Sequence, residues 1–214
     1  QIRWYGLAYV AGFICAFLVI AKLSQRWKIR INDDAFFTVV FCVIFGVILG
    51  GRLGYVLVYG DGYYLQHPEK ILAFNEGGMS FHGGLVGVII GGVIAAKITK
   101  IPFLTLADMG VVGVPIGLFF GRCANFINGE LWGAPTDMPW GVVFGGAAGT
   151  MPRHPSQLYE ALLEGIVLFC ILQVLSRKKP LLPQGTFMGV FVMGYGIVRF
   201  LIEFVRVPDA QLGY

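Results

Sequence analysis

The sequence predicts an all-α, polytopic membrane helix bundle of about six spans, and three observations carry that prediction. Hydrophobic residues fill 57% of the 214 positions and charged residues only 13%, with a strongly positive mean hydropathy. The apolar residues come in long uncharged runs rather than in stripes recurring every three or four positions, which suits a surface facing lipid and not one facing water. The basic residues, which set the net charge of +4, lie between those runs. They form no basic face with interleaved aromatic side chains, so nucleic acid is not an expected partner and membrane topology is their use.

The first run, Trp4 to Ala21, is uncharged and long enough at the helical rise to cross a hydrocarbon core. No basic segment of signal-peptide type precedes it, and it reads as a trimmed membrane span. The second, Ala35 to Tyr59, is interrupted only by Arg52, and the third opens at His82 and continues through Gly83 to Ala96. The fourth, Phe103 to Gly121, contains Pro115, whose ring removes a helical hydrogen bond and predicts a kink. The fifth begins after Pro155, with Ser156 suited to cap it and Glu160 in its first turns, and ends at Leu175. The sixth covers Gly185 to Val205. The whole reads as a single transmembrane domain over 1–214 with a Gly/Pro-rich outer loop region at 122–156. Gly46 and Gly50, like Gly83, Gly87 and Gly91, recur at every fourth position, a spacing that lets membrane helices approach closely. Cys15, Cys42 and Cys170 lie in apolar runs and read as small buried hydrophobes. No C-x-x-C spacing suggests a metal, and no cofactor is expected.

Orientation follows from the loops. Lys22, Arg26, Lys28 and Arg30 follow the first span, Lys97 and Lys100 the third, and Arg177, Lys178 and Lys179 the fifth. These nine of the sixteen basic residues mark the cytoplasmic side and put the N-terminus outside. The rest are Arg3, Arg52, Lys70, Arg122, Arg153, Arg199 and Arg206, nearly all arginine, whose planar fork suits phosphate or carboxylate. In this orientation the costly polar residues converge on the outer half. Tyr5 begins span one, Arg52 lies late in span two, His82 opens span three and Arg122 closes span four. Glu160 and Glu164 open span five, Arg199 and Glu203 lie late in span six, and only Asp108 falls on the inner side. Charges within a span usually face a bundle interior or a wet cavity, so a pocket at the outer face is predicted. A transport path needs matching inner polar positions or an inverted repeat, and the sequence has neither. A metal-dependent lipid phosphatase needs histidine and aspartate clusters, which are likewise absent.

The most informative stretch is Gly121-Arg-Cys-Ala-Asn-Phe-Ile-Asn-Gly-Glu-Leu-Trp-Gly133, an apolar helix end followed by a dense set of hydrogen-bonding residues. Arg122 can grip an anionic group, Asn125 and Asn128 can orient it, and Glu130 can fix an arginine or a hydroxyl. Cys123 has no partner cysteine nearby and is not assigned a catalytic role. On span six, Tyr195, Arg199, Glu203 and Arg206 are spaced by four, four and three, which places them on one helical face.

This stretch resembles the signature of the prolipoprotein diacylglyceryl transferase family, and the resemblance extends along nearly the whole chain. Arg3-Trp-Tyr-Gly-Leu7, Gly50-Gly-Arg-Leu-Gly-Tyr55, Gly77-Gly-Met-Ser-Phe-His-Gly-Gly-Leu85, Arg153-His-Pro-Ser-Gln-Leu-Tyr-Glu160 and Gly194-Tyr-Gly-Ile-Val-Arg-Phe-Leu-Ile-Glu203 look like family motifs in family order. The resemblance implies transfer of a diacylglyceryl group from phosphatidylglycerol to the lipobox cysteine thiol of a preprolipoprotein, with release of glycerol phosphate. The implied catalytic set is His82 as base, Arg122 and Arg199 as phosphate grip, and Tyr5, Asn125 and Glu203 as orienting groups. The implied substrate-binding set is Arg122, Arg199, Glu130, Tyr195, Arg206, Arg52 and Gly133. The partners are phosphatidylglycerol, the lipobox peptide and membrane lipid. The protein is taken as a monomer in the bacterial cytoplasmic (inner) membrane, its active site toward the periplasm.

Three positions depart from the family pattern: Ala124 where glycine is common, Ala134 where arginine is common, and Gly145 where proline is expected. The loop after Arg122 is therefore expected to differ locally. The family's final span is also missing before Tyr214, and a seventh helix is expected in the parent protein.

Overall fold

A computed structural model describes residues 4–29, 31–74, 77–178 and 182–207, with the backbone alone described at 4, 5 and 9. Its main elements are α1 (Trp4–Trp27), α2 (Asp33–Tyr59), the short α3 (Tyr63–Gln66), α4 (Phe81–Thr99) and α5 (Phe103–Ile127). They continue with α6 (Ser156–Glu160), a π-helical segment (Ala161–Val167), α7 (Leu168–Leu175) and α8 (Thr186–Glu203). Six helical stretches are long and apolar enough to cross a membrane, α6, the π segment and α7 forming one of them. The chain is thus an all-α, multi-pass membrane protein. The spans fall where hydropathy predicts, except that α1 runs on past Ala21 to Trp27, which makes Lys22 and Arg26 helical, and α5 runs on to Ile127. Arg122, Ala124 and Asn125 are therefore helical, and the outer connection begins at Asn128 rather than at Arg122. No breaker occurs until Gly129, which takes the left-handed φ of +67° that ends helices cheaply only at glycine. The helix also continues through Pro115.

The chain forms two compact units, residues 30–107 and residues 1–29 with 108–214. In the first of these, α2 and α4 pack backbone to backbone through the two predicted glycine series. A β-carbon on Gly87 would strike the carbonyl of Gly46, one on Gly91 that of Cys42, and one on Gly83 that of Gly50. Asn32 caps α2 by accepting from the Ala35 amide at 2.9 Å, and Ser80 caps α4 by accepting from Gly83 at 3.2 Å. His82 therefore sits in the first turn of α4, exposed, with its ring 5.7 Å from that of Phe81. Arg52 is 1% exposed. It donates from Nε to the Ile71 carbonyl, from Nη2 to Lys70 and from Nη1 to Gly77 and Gly78, while Tyr64 lies 5.4 Å from its guanidinium. The arginine expected to bind substrate instead holds the segment leading from α2 to α4, because those carbonyls lack helical partners.

In the other unit, Asp108 of α5 is 4% exposed and accepts from the amides of Gly185 at 2.7 Å and Met188 at 2.8 Å. These are among the orphan donors at the start of α8, and a carboxylate there also meets the positive end of the helix dipole. Asp108 is thus a cap for α8 supplied from a different helix. Asp108→Ala is expected to cost about 2 kcal/mol, seen as a lower Tm in detergent, with Asp108→Asn intermediate. An unchanged Tm in both would contradict the capping role. At the ends of α1 and α7 the Arg26 guanidinium donates to the Ser176 hydroxyl, and the Trp27 ring meets that of Phe187, at the start of α8, tilted with centroids 4.7 Å apart.

Candidate active site

The residues that converge do so at one end of the unit formed by 1–29 and 108–214. Arg122 comes from the last turns of α5, Glu160 from the end of α6, Glu164 from the π segment, and Arg199 and Glu203 from the last turns of α8. Arg206 follows immediately. Glu160 is the hub and is 2% exposed. Its carboxylate lies 2.6 Å from Arg122 Nε, 3.2 Å from Arg199 Nη1 and 3.8 Å from Arg206 Nε. Glu203 brackets the same two arginines of α8, 3.6 Å from Arg199 and 3.8 Å from Arg206. The predicted face of span six thus forms, and its charges meet a buried acid on the neighbouring helix.

Glu164 is completely buried, 3.8 Å from Arg122 Nε, and neither of its oxygens has a hydrogen-bond partner. The π segment that carries it follows Glu160 directly. π-Helical turns are rare and recur at functional sites. Here Gly165 lets the segment lie against α5, since a β-carbon there would meet the Cα and Cβ of Phe119.

Burying a charge is costly unless it is compensated, and here the buried Glu160 faces Arg122, Arg199 and Arg206, while Glu203, itself half exposed, flanks the last two. The guanidinium groups are not equally enclosed: Arg199 is 26% exposed and Arg122 is 19%, against 3% for Glu160. Glu160 therefore lies beneath the arginines, and Arg122 and Arg199 keep the partial exposure through which an anion can approach. Each guanidinium carries five N–H donors in a fixed fork and each carboxylate only two oxygens.

The outer connection borders this cluster. Isolated antiparallel bridges pair Gly133 with Arg206, Pro135 with Arg153 and Val142 with Arg153. Gly133 packs so closely on Val205 and His154 that no side chain fits, which explains its glycine by packing and places it beside the backbone of Arg206. Ser156 donates to the Leu131 carbonyl, Gln157 to that of Glu130, and Arg153 to those of Ala148 and Gly133. Tyr159 accepts from the Trp140 indole at 2.7 Å and lies 3.2 Å from His154 Nδ1. Gly145 adopts φ +71°, which proline's ring forbids.

Arg122, Arg199, Glu203 and Arg206 are brought together as predicted. Tyr195 lies one turn before Arg199, and Asn125 one turn beyond Arg122. Glu130 is exposed in the outer connection. His82 and Arg52 belong to the other unit. Tyr5 is in α1, and its side chain lies outside the described residues. Sequence reasoning placed Glu160 and Glu164 in the pocket without making them binding residues. The available signal was a pair of acids four apart at the start of a span, in a sequence whose fourth and sixth spans end in arginines.

The family model described as prolipoprotein diacylglyceryl transferase matches residues 1–214. A relative from Geobacter sulfurreducens is 53% identical over 213 residues, covering 100% of this chain and 81% of its own length. Relatives from Cupriavidus metallidurans and Pasteurella multocida are 50% and 51% identical, covering 99% of this chain and 79% and 77% of theirs. All three carry the name phosphatidylglycerol–prolipoprotein diacylglyceryl transferase. Identity near one half, sustained along the whole of this chain and most of theirs, reflects common descent, and the chain belongs to the prolipoprotein diacylglyceryl transferase family.

Proposed function

We propose that this protein transfers the diacylglyceryl group of phosphatidylglycerol to the lipobox cysteine thiol of a preprolipoprotein, at the outer face of a bacterial cytoplasmic membrane. The observation that carries the reading is the arginine cluster held by Glu160, in which Arg122 comes from the last turns of α5, and Arg199 and Arg206 from the end of α8 and just beyond it. A phosphodiester is a single-charge anion with planar oxygen pairs, the partner that a fork of fixed N–H donors fits.

In the reaction, the thiol gives its proton to a base, and the sulfur attacks the glyceryl carbon bonded to the phosphate ester oxygen. A C–S bond forms as the C–O bond breaks, and glycerol phosphate leaves with that bond's electron pair. Charge develops on the departing phosphate, where Arg122 and Arg199 donate hydrogen bonds that strengthen as the bond breaks. Glu160 keeps both guanidinium groups in register, and Glu203 orients Arg199 and Arg206. Tyr195, Asn125, Glu130 and Tyr5 orient the head group or the thiol, and Arg52 shapes the segment before α4. His82 is assigned as the base on its exposure in the first turn of α4 and its place in a family-like motif.

The full-length protein, incubated with phosphatidylglycerol and a lipobox peptide, is expected to raise the peptide's mass by one diacylglyceryl group. His82→Ala is expected to lower kcat by about 10²- to 10³-fold. Its residual rate is expected to rise with pH up to about 9, because the substrate thiol, with a pKa of about 8.5, then ionises without a base. A His82→Ala enzyme with unchanged kcat would exclude His82 as the base. No mass gain with folded wild-type protein would exclude the transfer itself.

A further inference from the structure

A second charged site lies at the other end of the same unit, and the transfer reaction does not use it. Val19, Lys22, Leu23 and Arg26 of α1 face Phe169 and Gln173 of α7 and Arg177 just beyond, around a groove of about 200 Å³. The spacing puts the α1 residues on one helical face and the α7 residues on another. On α7 the groove runs from Phe169 through Gln173 to Arg177, and on α1 Val19 and Leu23 alternate with Lys22 and Arg26. Leu23 is buried, whereas Lys22, Arg26 and Arg177 are exposed. Arg26 is fixed by donating to the Ser176 hydroxyl, which in turn donates to the Gln173 carbonyl. None of the three cations meets a carboxylate among the described residues. Asp108, the acid at this end of the unit among the described residues, has both oxygens on the amides of α8. The carbonyl ends of α1 and α7 oppose an anion with roughly half a charge each, which three full positive charges outweigh.

We propose that this groove binds the phosphate of an anionic phospholipid, with the start of an acyl chain against Val19, Leu23 and Phe169. Basic pockets between membrane helices recognise lipid head groups in this way: long cationic side chains reach the interface while apolar neighbours meet the chain. The groove lies at the opposite end of the Ser156–Leu175 span from Glu160, about 20 Å along the helix at 1.5 Å per residue, so it is separate from the transfer site. Its assignment to the cytoplasmic leaflet rests on the topology proposed above. The site itself stands whether or not the transfer reaction does.

Native mass spectrometry of the delipidated full-length protein tests this with dioleoyl phosphatidic acid, dioleoyl phosphatidylcholine or inorganic phosphate added. Wild type is expected to hold one more equivalent of phosphatidic acid than Lys22→Gln/Arg177→Gln, with that equivalent weakened about thirtyfold by the loss of two cations. Arg26 is left in place so that its bond to Ser176 persists, and monodisperse elution with unchanged helical circular dichroism establishes folding. Val19→Trp, which fills the groove and leaves every charge, is expected to expel the same equivalent. Phosphatidylcholine and inorganic phosphate are expected not to compete. Equal phosphatidic acid occupancy in wild type and both variants would overturn the site, and displacement of the lipid by inorganic phosphate would overturn its assignment to a lipid.

Discussion

Arg122→Ala is expected to reduce the rate of diacylglyceryl transfer by about 10³-fold, on the scale of losing a donor aimed at charge that develops in the transition state. The loss belongs mainly in kcat, because Arg199 and Arg206 still attract the phosphodiester in the ground state. Arg122→Lys separates two explanations. A point charge of the same sign would suffice if the cluster only attracted anions, whereas loss of the planar fork should cost about 10²-fold if geometry is what matters. The comparison is made by measuring kcat and KM for a lipobox peptide at saturating phosphatidylglycerol. Full activity in Arg122→Lys would contradict the fork argument, and full activity in Arg122→Ala would remove Arg122 from the mechanism.

Glu160→Gln is expected to damage stability as well as rate. The glutamine keeps the shape of the side chain, but it leaves Arg122, Arg199 and Arg206 gathered around a buried group with no charge. Removing one partner of a buried ion pair typically costs about 3–5 kcal/mol, because the remaining charge is then uncompensated. A lower Tm in detergent and a transfer rate reduced at least as far as in Arg122→Ala are both expected. Combining Glu160→Gln with Arg206→Gln restores charge balance and should recover part of the lost Tm without recovering the rate. Strictly additive losses in the double variant would show that the two side chains are not coupled.

Much of this arrangement was legible beforehand. Hydrophobic run length marked the spans because a membrane helix must bury its backbone polarity over a fixed thickness. The spacing of Arg199, Glu203 and Arg206 put them on one face, and three of the arginines that did not serve topology, Arg122, Arg199 and Arg206, meet at Glu160. The four-residue glycine series announced the close contact of α2 and α4, where β-carbons would strike backbone. Other features left no local trace. Arg52 looked like a substrate ligand because its acceptors are carbonyls 18 to 26 residues further on, and only the path of that segment turns them toward it. Asp108 looked isolated because the amides it caps lie 77 and 80 residues away. The π segment is invisible to hydropathy, since Ala161–Val167 reads as the same apolar run in either helical form. The extension of α5 to Ile127 was missed because the polar residues after Gly121 resemble a loop, although none of them breaks a helix.

The central claim is that sulfur displaces a phosphate from carbon, and an isotope placed in one oxygen tests it most directly. Phosphatidylglycerol carrying ¹⁸O in the bond between the diacylglyceryl carbon and phosphorus is turned over by the full-length protein with a lipobox peptide, and both products are weighed. The mechanism predicts that all of the label leaves in glycerol phosphate, in one-to-one ratio with a diacylglyceryl thioether on the peptide. Label retained on a diacylglycerol product would mean attack at phosphorus, and glycerol phosphate released without thioether would mean that water rather than the thiol is the acceptor; either result would contradict the proposed transfer.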